Sequence, residues 1–460
     1  GSGQGRDDIT LDELFEKEVS DLVEYLSQED RQFGEGRIDL FRVGCKDNRG
    51  KAIEVLNHLA VSGNWDRSIW HAGLVGLADS DENTWGEIAP LLNNAVPEFY
   101  REVGWPVAHW TKKNISSIEC GVPEEHYFWV IFESLLHNVS DREEPISKAV
   151  DYAINHPVGI ITEALIDRFS ACGLKVDEGI PDGPLQEGVN QLISSETQAS
   201  IAGKIILASR LHYFHAIDPG WAEENLIPLF DWEGSELAAL IWQGYLWSPR
   251  ISADLAIALK NHLVNAVKHV DQIEASAERL IQLFTVVCLE HFDLYTAKEQ
   301  HNVLVNVGTD GLVYVAKFFW RSISGDSKSA NNYWRNRVQP FMKRAWPKAA
   351  EFVSDKSSEH FSLMAIKLDD TFEEALEFLW PFIKPFSDLS FLLTHLDAKG
   401  LPDQQPKAVF RLLAKVFTAE YQWPTEKFRN VLNRIIHADP TIKNEPDYRI
   451  MNDYLVQRNL

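Results

Sequence analysis

The chain has 460 residues, 45% of them hydrophobic and 24% charged, with 44 basic side chains against 68 acidic ones and a formal net charge of −24. That composition belongs to a folded protein with ample length for a core. Its sign repels phosphate, so binding to nucleic acid or an anionic membrane is not expected. No stretch approaches the roughly 20 apolar residues that span a bilayer.

The opening Gly1-Ser2-Gly3 has the character of a cloning remnant, and the expectation is a chain cut from a longer one, with no signal peptide. Cys45, Cys120, Cys172 and Cys288 lie far apart with no CxxC spacing. They suggest neither a disulfide framework nor a zinc knuckle, and point to a reducing cytoplasm. "GCKDNRGKA" at 44–52 approaches a P-loop, but it sets five residues between the glycines and puts Ala52 where a magnesium-binding hydroxyl belongs. "GRIDLFRVG" and "NISSIECGV" are the segments that could be extended. Asn114-Ile115-Ser116 and Asn138-Val139-Ser140 match the glycosylation pattern and are read as chance.

Elsewhere apolar residues recur with helical period. "GLKVDEGIPDGPLQEG", residues 173–188, is acidic and rich in glycine and proline, a break signal. His212 and His215 follow, spaced i, i+3 with Asp218 just beyond. Such a set can hold a transition metal, but histidines flanked by aromatics are more often packed, and they stand as weak candidates only.

Residues 244–260, "GYLWSPRISADLAIALK", read as a corner between two helices. Leu237, Leu240, Ile241, Gly244 and Tyr245 line the first, and Leu255, Leu259, Leu263 and Val267 the second. Ser248 is the expected cap, with Pro249 at the first helical position and with Trp242 and Trp247 packed. Between 317 and 348, Lys317, Arg321, Lys328, Arg335, Arg337, Lys343, Arg344 and Lys348 face one acid, Asp326, with Tyr333, Trp334 and Trp346 among them. Cations interleaved with aromatics can hold nucleic acid by phosphate contact and stacking, and the stretch could also serve as an internal docking surface or dock an acidic partner; the competing and favoured expectation is that the arginines pair internally and the tryptophans pack. "SISGDSKSANN" (322–332) and "DAKGLPDQQP" (397–406) read as loops. Finally Val409, Leu412, Leu413, Val416 and Phe417, then Phe428, Val431, Leu432, Ile435 and Ile436, mark two helices joined as a hairpin across "QWPTEK".

Paired helices over hundreds of residues predict an all-α helical-hairpin array, a degenerate HEAT-like α-solenoid. "IAPLL" at 88, "LIPLF" at 226, "VQPFM" at 338 and "LWPFI" at 379 echo one another irregularly. The breaks divide the chain into an N-terminal region 1–178, a central region 179–328 and a C-terminal region 329–460.

Catalytic motifs are absent: there is no HExxH and no GxSxG, so neither a cofactor nor a catalytic residue is expected. "DPGWAEENLIPLFDWEGSELAALIWQGYLWSPRISADLAIALK", with the tail from "NNYWRNRVQPFMKRAWPKAAEF" onward, resembles the C-terminal helical domain of sirtuin-associated bacterial anti-phage defence proteins, over roughly 218–455. Trp242, Gly244, Trp247, Pro249, Arg250, Trp334, Arg335, Arg337 and Trp346 carry the pattern. The resemblance implies a sirtuin-like NADase on the same longer chain or in a partner. The glycine-rich loop, asparagine and histidine of such an enzyme have no counterpart here.

The expected role is therefore a non-catalytic, cytoplasmic sensor or regulatory module that binds a phage or host protein trigger or restrains an effector domain. The candidate binding residues are Trp247, Arg250, Arg321, Trp334, Arg335, Arg337, Lys343 and Arg344. An oligomerisation scaffold forming a homo-oligomer, and a nucleotide or nucleic-acid hydrolase with an active site of no known motif, are the alternatives.

Overall fold

A computed structural model describes residues 9–28, 34–140, 144–233, 236–291 and 293–458. Gly1-Ser2-Gly3 lies outside these residues. The backbone gathers into two compact units, Gly1–Ile251 and Ser252–Leu460. The chain passes from one to the other within the corner predicted at 244–260, whereas the breaks expected near 178 and 328 fall inside the units.

The first unit contains α1 (Leu11–Glu16), α2 (Val19–Ser27), α3 (Gly34–Cys45), α4 (Arg49–Val61), α5 (Arg67–Ala78), α6 (Trp85–Leu92), α7 (Pro97–Ile115) and α8 (His126–Asn138). It continues through α9 (Ala149–Asn155), α10 (Pro157–Ala171), α11 (Pro184–Ser194), α12 (Gln198–Ser209), α13 (Leu211–Ile217), α14 (Pro219–Trp221) and α15 (Leu237–Leu246). One row of helices runs α3, α5, α7, α10, α12, α15, each packed on the next, and a second runs α2, α4, α6, α8, α11.

The second unit holds α16 (Ala253–Val267), α17 (Ala277–Glu290), α18 (Ala297–Ser322), α19 (Ser327–Tyr333), α20 (Gln339–Ala345) and α21 (Asp355–Lys367). After these come α22 (Phe372–Leu379), α23 (Ser390–Lys399), α24 (Leu401–Gln404), α25 (Pro406–Val416), α26 (Thr425–Ala438) and α27 (Pro446–Gln457). Here α16, α18, α21, α23 and α26 stack in turn. The fold is an all-α array of helical hairpins, an α-solenoid, and no strand occurs among the described residues.

Several expectations about local structure hold. The predicted hairpin is α25 packed on α26, with Val409, Leu412, Leu413, Val416, Phe428, Val431, Leu432 and Ile435 buried. Others are corrected. "GRIDLFRVG" lies within α3, and "NISSIECGV" is the end of α7 and the turn after it. Asn114 of the first glycosylation match is buried, its amide donating to the Trp110 carbonyl at 2.9 Å. "SISGDSKSANN" turns helical at Ser327, where the Asp326 carboxylate accepts the Ser329 N–H at 2.8 Å.

Segment 173–188 is no free linker. Its Asp177 and Gly179 N–H groups donate to the Ala216 and Ile217 carbonyls at 2.9 and 2.8 Å, and Ile180 N–H donates to the Asp218 carboxylate at 2.9 Å. Cys120 and Cys172, which their spacing did not pair, form a disulfide across 52 residues that ties the turn after α7 to the end of α10. Beside it Arg168 is fully buried. Its guanidinium donates to Glu125 at 2.9 Å and to the Ile115 and Ile118 carbonyls at 3.0 and 2.7 Å. Two sets of bonds thus hold one joint.

Close approach between neighbouring helices is set by missing side chains. A Cβ on Gly203 would lie 2.5 Å from Leu192 and 2.8 Å from the Thr162 hydroxyl; one on Gly244 would lie 2.7 Å from the Ile205 carbonyl oxygen. Interior packing has no slack for such contacts. Gly244→Ala should therefore lower unfolding free energy by about 1–3 kcal/mol, even though alanine is the better helix former. Gly86→Ala, where a Cβ meets nothing within 4 Å, should raise it by about 0.5–1 kcal/mol. Urea midpoints of the two variants check the pair. Reducing the disulfide should lower the stability of the first unit by about 4 kcal/mol, the loop-closure value for this span. The helical circular dichroism should persist, because Arg168 and Glu125 stay bonded.

Candidate functional site

The site is built on one face of the first unit. α10 and α12 present Ile166, Ile205 and Ile206, all buried, as an apolar floor, and Val150 and Ile154 extend it from α9. Over that floor opens a cleft of about 540 Å³. Its rim carries Glu163 of α10, Arg210 at the end of α12, His212 and Tyr213 of α13, and Trp247 and Arg250 from the chain after α15. These six residues span nearly ninety positions of sequence, and only the packing of α10, α12 and α15 gathers them.

The corner residues are fixed by bonds of their own. Tyr245 is buried in the cleft wall and its hydroxyl donates to the Arg250 carbonyl at 2.9 Å, shaping the turn that carries Trp247. Burial pushes its phenol well above the ordinary range. The Tyr213 phenol is likewise raised by burial, with a bond to Ser170 opposing. Glu163 pairs with Lys112. Asp167, one turn further along α10, has its carboxyl pushed up by burial and by Glu163, against the pull of Lys112 and Arg210.

Trp242 and Trp247 differ from the expectation that both are packed. Trp242 is fully buried, its indole N–H donating to the Phe230 carbonyl at 3.0 Å. Trp247 is 56% exposed. Five residues of helix turn through about 140° past a full circle, so a tryptophan at 247 cannot share the buried face of 242. The cap also moves. Ser252, not Ser248, accepts the Leu255 N–H at 3.2 Å and starts α16, with Asp254 in the favourable first turn.

Two hydroxyls of the cleft are taken up by the backbone: Ser209 donates to the Ile206 carbonyl at 2.6 Å and Ser170 to that of Ile166 at 3.4 Å. His212 makes no hydrogen bond to a described residue, and Tyr213 and Ser248 bring further hydroxyls to the lining. What the cleft offers is therefore shape, apolar contact, an aromatic ring, positive charge and a few polar groups. His215, the other histidine of the weak metal pair, is buried and bonded to Glu223 at 3.2 Å. The three metal-ligand residue types that converge among the described residues are Cys120, Glu125 and Cys172; they include neither histidine, and the two cysteines are joined in the disulfide.

The basic stretch 317–348 disperses over the second unit. Lys317 pairs with Glu278 at 2.7 Å and Arg335 with Glu374 at 2.8 Å. Arg344 is half-buried and donates to Gln300 at 3.2 Å; Lys343 stands over the Phe378 ring at 5.9 Å. Arg337 is half-buried and Arg321 exposed. Trp334 is fully buried, edge-on to Phe378, and so presents nothing to a partner; Trp346 is packed on Phe319 and Phe361. Sequence singled out Trp247, Arg250 and His212 of the cleft. It missed Glu163, Arg210 and Tyr213, for which the available signal was a lone arginine interrupting the apolar run "IILASRLHYF".

No family model matches the chain, and no curated protein matches it. A solved chain described as a circular tandem repeat protein with novel repeat topology and enhanced subunit contact surfaces is similar at 13% identity, over 98% of this chain and 98% of that one, with a TM-score of 0.20. At that score the likeness carries no argument, and the α-solenoid rests on the helix packing itself.

Exposure separates the two tryptophans by experiment. Trp242→Ala should cost about 3–5 kcal/mol, as for other buried aromatics. Trp247→Ala should stay within about 1 kcal/mol of the parent. Chemical denaturation followed by circular dichroism measures both.

Proposed function

We propose that the chain is a non-catalytic interaction module that receives a protein segment in the cleft of its first unit. The observation that supports this most directly is Trp247, a large aromatic left 56% exposed beside an apolar floor and two arginines. Aromatic and arginine side chains of this kind dominate protein recognition. The stack of hairpins supplies a rigid base for them.

The finer reading is that the module serves as the sensor or regulatory part of a bacterial anti-phage defence protein, recognising a phage or host protein or restraining an effector. Its support is the resemblance over 218–455, which includes the corner that carries Trp247 and Arg250. A cytoplasmic setting belongs to this reading. No helix of the described residues is long and apolar enough to cross a membrane. In a reducing compartment Cys120 and Cys172 would stand as thiols, with the joint still held by Arg168.

A pull-down from phage-infected and uninfected lysates, using the parent chain and Trp247→Ala as baits, tests it. The expected result is a protein captured by the parent from infected cells and lost with the variant. Capture equal for both baits, or none from either lysate, sinks the reading.

A further inference from the structure

We infer that the segment received by the cleft carries an acidic residue next to a bulky apolar one. This rests on the cleft being a protein-docking site and adds which chemistry it selects. Charge makes the argument. The chain carries 68 acidic side chains against 44 basic ones, so a positive lining runs against its overall charge. Arg210 and Arg250 both line the cleft, form no ion pair with a described residue, and are exposed. The carboxylate that lines the cleft, Glu163, is already matched by Lys112, and the nearby Asp167, on which Arg210 pulls, has its charge opposed by burial. The lining is therefore locally positive on a strongly negative chain, and its two forks remain open to a carboxylate from outside. Such a pairing is bidentate and charge-assisted.

The floor sets the second requirement. Ile154 is 42% exposed and stands with Ile166, Ile205 and Ile206. These side chains offer no hydrogen-bonding group. A nucleotide would gain stacking on Trp247 and charge from the arginines. Its ribose hydroxyls and base edges would find no partner on the isoleucine floor, only on His212, Tyr213 and Ser248 beside it, and buried polar groups left unpaired are costly. A leucine, isoleucine or phenylalanine side chain meets no such penalty and gains the burial energy of its apolar area. The volume of about 540 Å³ is that of a pocket for a few side chains and not a trough for a whole domain. An apolar anchor with a neighbouring carboxylate is the occupant that satisfies floor and rim together.

The test pans a random-peptide display library against the full chain, then measures enriched peptides by fluorescence anisotropy. Expected winners place Asp or Glu within a few positions of Phe, Trp, Leu or Ile. Changing that acid to its amide should weaken binding on the order of tenfold, about the worth of one charged hydrogen bond. Arg250→Glu, with its fold verified by circular dichroism, should lose these peptides while a Lys-substituted peptide regains affinity. Peptides that bind regardless of the amide change, yet are lost with Trp247→Ala, overturn the acidic requirement and leave the docking role standing. Peptides unaffected by either variant overturn both. A library without enrichment overturns the inference, and so does ATP binding at the cleft that displaces the peptides.

Discussion

The cleft of the first unit hangs on the contact between Gly244 and the Ile205 carbonyl. A hydrogen in place of a side chain lets α15 settle onto α12 at a distance that any Cβ would forbid. The turn held by the bond from Tyr245 to Arg250 then projects Trp247 and Arg250 over Ile205 and Ile206. Gly203 acts in the same way in the layer below, drawing α12 against Thr162 of α10 and Leu192 of α11. The cleft is the space that these approaches leave between three stacked helices. Its geometry thus belongs to the solenoid and not to any flexible loop, which is what a rigid recognition surface requires.

The irregular "xxPxx" echoes have a physical meaning beyond degenerate repetition. At 228 and 340, proline follows a single wide turn: Ile227 N–H bonds to the Ala222 carbonyl and Gln339 N–H to that of Trp334, each five residues back. Proline has no N–H and its ring collides with the carbonyl four residues earlier in a regular helix. Widening the preceding turn moves that carbonyl aside and lets the chain continue. Both echoes therefore mark places where a widened turn accommodates a proline, one in each unit.

Fold class was legible because it depends on period. Stripes such as Leu255, Leu259 and Leu263, or Val409, Leu412 and Leu413, place one face of a helix against its neighbour whatever the partner is, and all of these residues are buried. Pairings between distant residues were not legible. Cys120 meets Cys172 only because α7 and α10 are adjacent in one row, and Arg168 meets Glu125 for the same reason. The site was legible only in its local features. Trp247 and Arg250 stood out beside a proline, but the reading of Trp247 as packed took the corner for a hydrophobic joint. Helical phase from Trp242 contradicts that. Arg210 and Glu163 became members of a site only once stacking fixed which faces of α10 and α12 turn the same way.

The distribution of charge ties these points together. On a chain of net charge −24, positive residues gathered in sequence need not form an open positive surface. Lys317 and Arg335, in the stretch that looked most like a docking surface, are each held by a glutamate about forty residues away. Arg210 and Arg250 have no such clustering in sequence, yet they stand around one apolar floor without an ion pair to a described residue. Ion pairs at an exposed surface contribute little to folding, so leaving two arginines open costs the fold almost nothing. It preserves two forks for an incoming carboxylate, and the negative surface around them repels acidic molecules that do not reach the cleft.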